Sequence, residues 1–138
     1  FSYQEDVDLA WRLRRLGFKA FCCPTATGTH ARTAAGAWEG DLAAAKNKKS
    51  QPEIVRINSY KNHLMAIYKN EDGRNLTLDF LWILWYEGKK FVWFLLFDRV
   101  VLAGLKQIWQ NRHELKNKRL KIKQKTKANW REIRLWWR

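Results

Sequence analysis

Residues 1–21 read FSYQEDVDLAWRLRRLGFKAF, an acidic start followed at once by an amphipathic pattern. Apolar residues recur every three or four positions between residues 7 and 16, which predicts an α-helix with one buried face. Gly17 stands where such a helix typically ends. The apolar residues 18–23 then predict a short buried strand. The chain is therefore expected to begin with a helix that leads into a sheet.

Three carboxylates stand in or just before the first turn of this helix, where the helix dipole favours negative charge: Glu5, Asp6 and Asp8. The simplest interpretation is structural. The acids would cap the helix, and Asp8 would pair with Arg12 four residues later, an interaction worth about 0.2–0.5 kcal/mol. The pattern of residues alone favours this interpretation over a catalytic one.

The segment FSYQEDVDLAWRLRRLGFKAFCCPTATGTH resembles the closing motif of the catalytic domain in family 2 glycosyltransferases of the GT-A fold. It is most similar to the rhamnosyltransferase-like branch, whose pattern is an aromatic residue, E-D-x-D-L-x-W-R, a glycine, a strand and a histidine. The likeness is close over roughly the first quarter of the chain and loose beyond it. It implies an α/β fragment, mostly helical, that forms the end of a GT-A domain and continues into amphipathic C-terminal helices.

The resemblance implies that the parent protein moves a sugar from a nucleotide-sugar donor to an acceptor hydroxyl with inversion. In that family the Asp of the E-D pair is the base that takes the acceptor proton, and Asp6 occupies this position. Glu5 would orient the acceptor or adjust the pKa of Asp6. Asp8, Trp11 and Arg12 match positions that brace the substrate site, Trp11 by packing or by stacking on a sugar.

The resemblance also implies a divalent metal ion, Mg²⁺ or Mn²⁺, with His30 as the ligand from this chain. A lone histidine is more often structural, and the other metal ligands would belong to a D-x-D motif in a nucleotide-binding half expected before residue 1. Residues 6–8 also spell D-x-D, but that motif normally ends an apolar strand and here a helix pattern follows. Arg32 is a candidate contact for phosphate or acceptor, although a solvated charge is the simpler interpretation.

The composition points to an anionic partner. Lys and Arg number 27 against 13 Asp and Glu, for a net charge of +14 in 138 residues, and nine residues are Trp. Trp is favoured where an apolar environment meets a wet one, so this combination predicts an anionic membrane surface more than a specific nucleic-acid site.

The side chains of Cys22 and Cys23 would point to opposite faces of a strand, which argues against a disulfide and for a reducing compartment.

The chain divides into three predicted regions. Residues 1–51 are the C-terminal part of the catalytic domain, residues 52–111 a helical membrane-interface region, and residues 112–138 a basic, Trp-containing helix or tail. In the middle region Pro52 suits the first position of a helix that runs to about Asn70. A turn is expected after it.

Two apolar runs follow, residues 76–86 and 91–105, separated by the polar residues 87–90 and interrupted at Asp98. Neither run reaches the roughly 20 residues that cross a bilayer. Three interpretations stay open: helices lying in the membrane interface, a helical hairpin packed on itself or on the catalytic domain, and a spanning hairpin. The tryptophans expected at headgroup depth in the first case are Trp82, Trp85 and Trp93.

The last part of the chain is strongly basic. Between residues 106 and 138 twelve Lys and Arg accompany two Glu, which accounts for +10 of the total charge. Such a segment is typical of binding to anionic lipid, worth about 1 kcal/mol per basic residue near the surface. Nonspecific nucleic-acid binding and a solvated tail are the alternatives.

Together these features predict the C-terminal portion of an inverting glycosyltransferase that acts on a lipid-linked or polysaccharide acceptor. It would sit peripherally on the cytoplasmic face of the inner (plasma) membrane and serve the synthesis of cell-envelope polysaccharide. Without the nucleotide-binding half the chain is expected to be inactive. The alternative is a non-enzymatic, basic, Trp-rich module that binds membrane or nucleic acid.

Overall fold

A computed structural model of the chain describes residues 4–28 and 49–135. This part of the chain is mostly helical, as predicted. The elements lying wholly within it are α1 (Glu5–Arg15), α2 (Glu53–Asn70), α3 (Gly73–Leu78), α4 (Phe80–Phe97), a 3-10 helix (Arg99–Leu102), α5 (Ala103–Gln110), α6 (Arg112–Lys125) and α7 (Trp130–Arg134).

The predicted strand over residues 18–23 is wrong. These residues have no regular structure and are exposed, and no β-strand occurs in residues 4–28 or 49–135. A strand needs a neighbour to satisfy its backbone N–H and C=O groups, and the described chain offers none. A second strand was expected over residues 27–30, of which 27 and 28 are irregular and the others lie outside the described residues. The α/β part of the prediction is therefore not found here.

Helix α1 has the boundaries that its sequence predicts. It begins at Glu5 and ends in a Schellman motif, in which the N–H of Gly17 donates to the carbonyl of Arg14 at 2.9 Å and the N–H of Phe18 to that of Leu13 at 3.1 Å. The motif requires a left-handed residue, and Gly17 has φ of 88°. Its role as the end of α1 is confirmed.

Helix α2 ends at Asn70 as predicted, but Pro52 is its N-cap and not its first helical residue. The turn after it is shorter than expected, because Asp72 already caps the next helix. Its side chain accepts a hydrogen bond of 2.9 Å from the N–H of Arg74. An Asp at this position satisfies a backbone donor that α3 would otherwise leave free.

Helix α4 runs straight through residues 87–90, so the predicted division of the apolar region there is wrong, and so is a hairpin that packs the two runs on each other. Gly88 inside a helix costs only about 1 kcal/mol. Glu87 and Lys90 both reach His63 of α2, so their polar groups are used in packing. The helix ends instead before Asp98. Among the described residues, no helix combines the length and the apolar character needed to cross a membrane.

The core is small and is organised around α2, against which α1, α5 and α6 pack. Gly104 brings α5 close to α2, since a Cβ at that position would lie 3.1 Å from the Cβ of Lys61. Helix α4 contributes no buried residue. The buried apolar side chains are Trp11, Tyr60, Ala66, Val101, Leu115 and Ile133.

Arg15 departs from the predicted amphipathic pattern, in which it lies outside the apolar face. It is buried, and its guanidinium donates to the carbonyl of Asn70 and, at 3.0 Å, to Oγ1 of Thr126. Its own carbonyl accepts from the N–H of Lys127 at 2.8 Å. One side chain thus ties the end of α1 to α2 and to the segment after α6, so parts of all three predicted regions pack together.

Candidate functional site

The acidic motif divides into two environments at the start of α1. Glu5 and Asp6 are exposed to solvent, whereas Asp8 turns toward α2. The N-cap residue is Gln4, which makes no side-chain capping bond, but Oδ1 of Asp6 accepts from the N–H of Val7 in the first turn at 2.8 Å. The predicted pairing of Asp8 with Arg12 is also present.

Asp8 is the centre of a hydrogen-bonded cluster between α1 and the end of α2. Its Oδ1 accepts from Nδ2 of Asn70 at 2.6 Å and lies 2.8 Å from Nζ of Lys69, and its Oδ2 lies 3.2 Å from Nε of Arg12. Asn70 is fully buried. Burial by itself raises the pKa of Asp8, but the bonds and charges of Lys69, Asn70 and Arg12 lower it below its ordinary value.

An Asp8→Asn variant is expected to be less stable than the wild type at neutral pH, and the difference should shrink in acid. The pKa of Asp8 is lower in the folded protein than its ordinary value of 3.8. The stabilisation that its carboxylate gives to the fold is therefore present at pH values above 3.8 and is lost as the pH falls through the folded pKa. Denaturant unfolding at a series of pH values measures this. Glu114→Gln is the control, since its pair with Lys118 is exposed and should contribute little at any pH.

A cleft of about 630 Å³ lies beside the exposed acids, between α1, α2 and α4. Gln4 and Val7, the neighbours of Glu5 and Asp6 in the chain, line it. Three aromatic side chains also line it, two of them from α4: Trp11, Trp82 and Tyr86. Apolar walls with a few polar groups are typical of small-molecule sites.

Two polar residues of the cleft, His63 and Glu87, form a cluster with Lys90 that the sequence did not reveal. Oε1 of Glu87 lies 2.9 Å from Nε2 of His63 and 3.0 Å from Nζ of Lys90, and these two nitrogens are 3.2 Å apart. Burial alone raises the pKa of Glu87, but the bonds and charges of His63 and Lys90 lower it below its ordinary value. Glu87 and Lys90 lie three positions apart on α4, but His63 is on α2, 24 and 27 positions before them, so no local pattern predicts the cluster.

Two further carboxylates line the same cleft. Burial raises the pKa of Glu71 above its ordinary value, against the opposing effect of hydrogen bonds from Asp72 and Asn75. Asp79 instead accepts two hydrogen bonds from Arg134, at 2.6 and 2.8 Å, and so joins α7 to the segment before α4. Of these two carboxyls, that of Glu71 protonates more readily than usual, and that of Asp79 forms an ion pair.

The predicted metal ligand His30 and the predicted substrate contact Arg32 lie outside the described residues. Within residues 4–28 and 49–135, no three His, Cys, Asp or Glu side chains gather as metal ligands would. Trp11 is buried and lines the cleft, and Arg12 is half-exposed beside Asp8. Of the described motif residues, Arg12 contacts Asp8, whereas Trp11 faces the cleft.

The outer face of α4 is unusually apolar for an exposed surface. It is formed by Leu81, Leu84, Trp85, Val92 and Leu96 with Lys89. Leu81 is 76% exposed and Trp85 64%. Eleven of the eighteen residues of α4 are large, apolar and exposed. Surfaces of this kind mark sites of interaction with a membrane or a protein.

The acids of this region all turn away from that face. Asp79 pairs with Arg134, Glu87 with His63 and Lys90, and Asp98 with Arg56 at 2.6 Å. Two of the cations do not, because Lys89 and Arg99 are exposed and Nζ of Lys89 lies 5.5 Å from the ring centre of Trp85. The exposed side of α4 and its C-terminal end is therefore apolar and cationic.

Comparison of the chain with protein-family models found no match, and neither did comparison with curated proteins or with solved structures.

Proposed function

We propose that this chain supplies the acceptor-side corner of an inverting family 2 glycosyltransferase, with Asp6 as the base. The proposal rests on the E-D-x-D-L-x-W-R motif, whose members have different surroundings. Glu5 and Asp6 are exposed and available to a substrate, whereas Asp8 is bound by three partners. That division is the observation that carries the proposal, because a base needs access and a bracing residue needs partners.

In the proposed reaction Asp6 accepts the proton of the acceptor hydroxyl as its oxygen attacks the anomeric carbon of the donor sugar. Glu5 beside it helps to orient the acceptor. The aromatic cleft next to these acids suits an acceptor with sugar rings or an apolar carrier, because aromatic faces pack on both. Asp8 holds the start of α1 on α2 and so keeps Asp6 in place.

The donor and a divalent ion, Mg²⁺ or Mn²⁺, belong in this proposal to a nucleotide-binding half of the protein, with His30 and Arg32 as the contributions of this chain. The ion would offset the charge of the departing diphosphate. The test is the rate of sugar transfer by an Asp6→Asn variant of the protein that carries both halves. Unchanged turnover would overturn the assignment of Asp6.

We also propose that the outer face of α4 lies in an anionic membrane surface, which would be the cytoplasmic face of the inner membrane. Trp and Leu side chains with cations beside them suit the boundary between headgroups and acyl chains. The inward pairing of Asp79, Glu87 and Asp98 removes negative charge from that surface. A lipid-linked acceptor would then be held close to the cleft.

A Leu81→Gln/Trp85→Gln variant is expected to bind vesicles of phosphatidylcholine and phosphatidylserine at least about tenfold more weakly, because each apolar side chain withdrawn from lipid costs more than 1 kcal/mol. Co-sedimentation measures this. The control Trp109→Gln/Leu120→Gln removes one exposed Trp and one exposed Leu outside α4 and should bind nearly as the wild type does. Equal loss in both variants would contradict the proposal.

The lipid composition separates the apolar and the basic contributions. Weaker binding to pure phosphatidylcholine than to the anionic vesicles is expected, since the net charge of +14 favours an anionic surface. Equal binding to the two would argue against a role for the basic C-terminal region. A purely non-enzymatic membrane module, the alternative function, predicts the same vesicle binding but no dependence of any transfer on Asp6.

A further inference from the structure

A groove with a volume of about 510 Å³ lies between α1 and α6. The groove is strongly positive, because among the described residues six cations line it and Asp8 is its one acid. The cations are Arg12, Arg15, Lys69, Lys118, Lys121 and Lys125. A concave surface with so many like charges concentrates anions.

The single acid of the groove is already committed. Asp8 lies within 3.2 Å of both Lys69 and Arg12, and it also accepts from Asn70. It neutralises part of the charge of these two cations, and no described lysine of α6 lies within ion-pair distance of it. Lys118 has a separate partner, Glu114, at 2.6 Å.

Lys121 and Lys125 carry the unbalanced charge. Within the described residues neither has a carboxylate within ion-pair distance. They are four positions apart on α6, so they project from the same side of the helix, and both line the groove. Two ammonium groups in this arrangement can donate to different oxygens of one phosphate group.

The rest of the groove is apolar. Leu9 and Leu13 of α1, Leu16 directly after it and Ile122 of α6 line it beside the lysines. Leu9 and Leu13 are exposed, although such side chains are normally stabilised by burial. A ligand that complements the whole groove therefore needs an anionic group and an adjoining apolar part.

We infer that this groove binds a phosphate group carried by an amphiphilic molecule. The phosphate oxygens accept from Lys121 and Lys125, and the apolar part of the ligand covers Leu9 and Leu13. The phosphate belongs either to the headgroup of an anionic lipid or to a soluble phosphate or diphosphate ester. The inference rests on the groove alone and requires neither the transferase reaction nor membrane binding by α4.

The first test uses inorganic pyrophosphate and two variants of equal charge. Lys121→Gln/Lys125→Gln removes the groove lysines. Lys116→Gln/Lys123→Gln removes two exposed lysines of the same helix that do not line the groove. Titration calorimetry should give saturable binding to the wild type and the control, and binding at least about tenfold weaker to the groove variant, since each charge-assisted bond contributes more than 1 kcal/mol.

The second test uses vesicles of phosphatidylcholine and phosphatidic acid with the same variants, in which α4 is unchanged and contributes equally. Loss of vesicle binding confined to the groove variant assigns the phosphate to a lipid headgroup. If the groove variant loses pyrophosphate binding but binds these vesicles as the control does, the phosphate belongs to a soluble ester. Equal weakening in the two variants would mean that net charge and not the groove binds phosphate, and would overturn the inference, as would the absence of saturable binding in both tests.

Discussion

If the proposed function is correct, an Asp6→Asn variant of the protein that carries both proposed halves is expected to lose about 10²–10⁴-fold of its sugar-transfer rate, the usual contribution of a general base. Asn has the same shape as Asp but cannot take the proton of the acceptor hydroxyl. The fold should not change, because Asp6 is exposed and its hydrogen bond is to the N–H of the next residue, Val7. Initial rates at saturating donor and acceptor measure the effect.

Two comparisons give that result its meaning. Donor binding should be nearly unchanged in Asp6→Asn, because the proposed role of Asp6 concerns the acceptor. Glu114→Gln, which removes one exposed carboxylate from α6, should leave the rate unchanged. A rate that falls together with the unfolding midpoint would indicate a structural role for Asp6, and a rate that does not fall would exclude it as the base.

An Asp98→Ala variant of this chain is expected to lose about 3–5 kcal/mol of unfolding free energy, because removing one partner of a buried ion pair leaves the other charge uncompensated. Asp98 pairs with Arg56 at 2.6 Å, and the two side chains are only 6% and 12% exposed. The pair ties the end of α4 to α2. Denaturant unfolding followed by far-UV circular dichroism gives the free energy.

The matched control is Asp79→Ala, which breaks an Asp–Arg pair of the same 2.6 Å length whose side chains are about one third exposed. That pair should contribute less than the pair of Asp98 with Arg56, since water screens it even though Arg134 donates to both oxygens of Asp79. Replacing both Asp98 and Arg56 with apolar residues of similar volume should recover much of the loss. Similar losses for Asp98→Ala and Asp79→Ala would show that burial is not the cause.

The predictions that succeeded depended on interactions within a few residues. The extent of α1, its end at Gly17 and the pair between Asp8 and Arg12 all follow from contacts no more than five positions apart. The end of α2 at Asn70 was likewise close to a turn signal. Such features can be recognised in a sequence because the interacting groups are neighbours in it.

The predictions that failed concerned residues whose partners are distant. The polar residues 87–90 predict a break in the helix. The helix continues through them because Glu87 and Lys90 both contact His63, which belongs to another helix. The helical pattern places Arg15 outside the apolar face, but Arg15 is buried. Its burial is possible because its guanidinium donates to the carbonyl of Asn70 and the hydroxyl of Thr126. In each case the cost of placing a polar group inside is offset by a partner that local pattern cannot identify.

The sequence by itself determined a basic, Trp-rich, mostly helical chain and placed an acidic motif at the first turn of α1, because charge, periodicity and helix ends are local properties. Only the tertiary structure decided how those carboxylates differ. Packing of α1 on α2 surrounds Asp8 with Lys69 and Asn70 and leaves Glu5 and Asp6 in solvent. It also decided that the acids near α4 turn inward, because Arg56, His63 and Arg134, which contact them, come from helices far away in the chain.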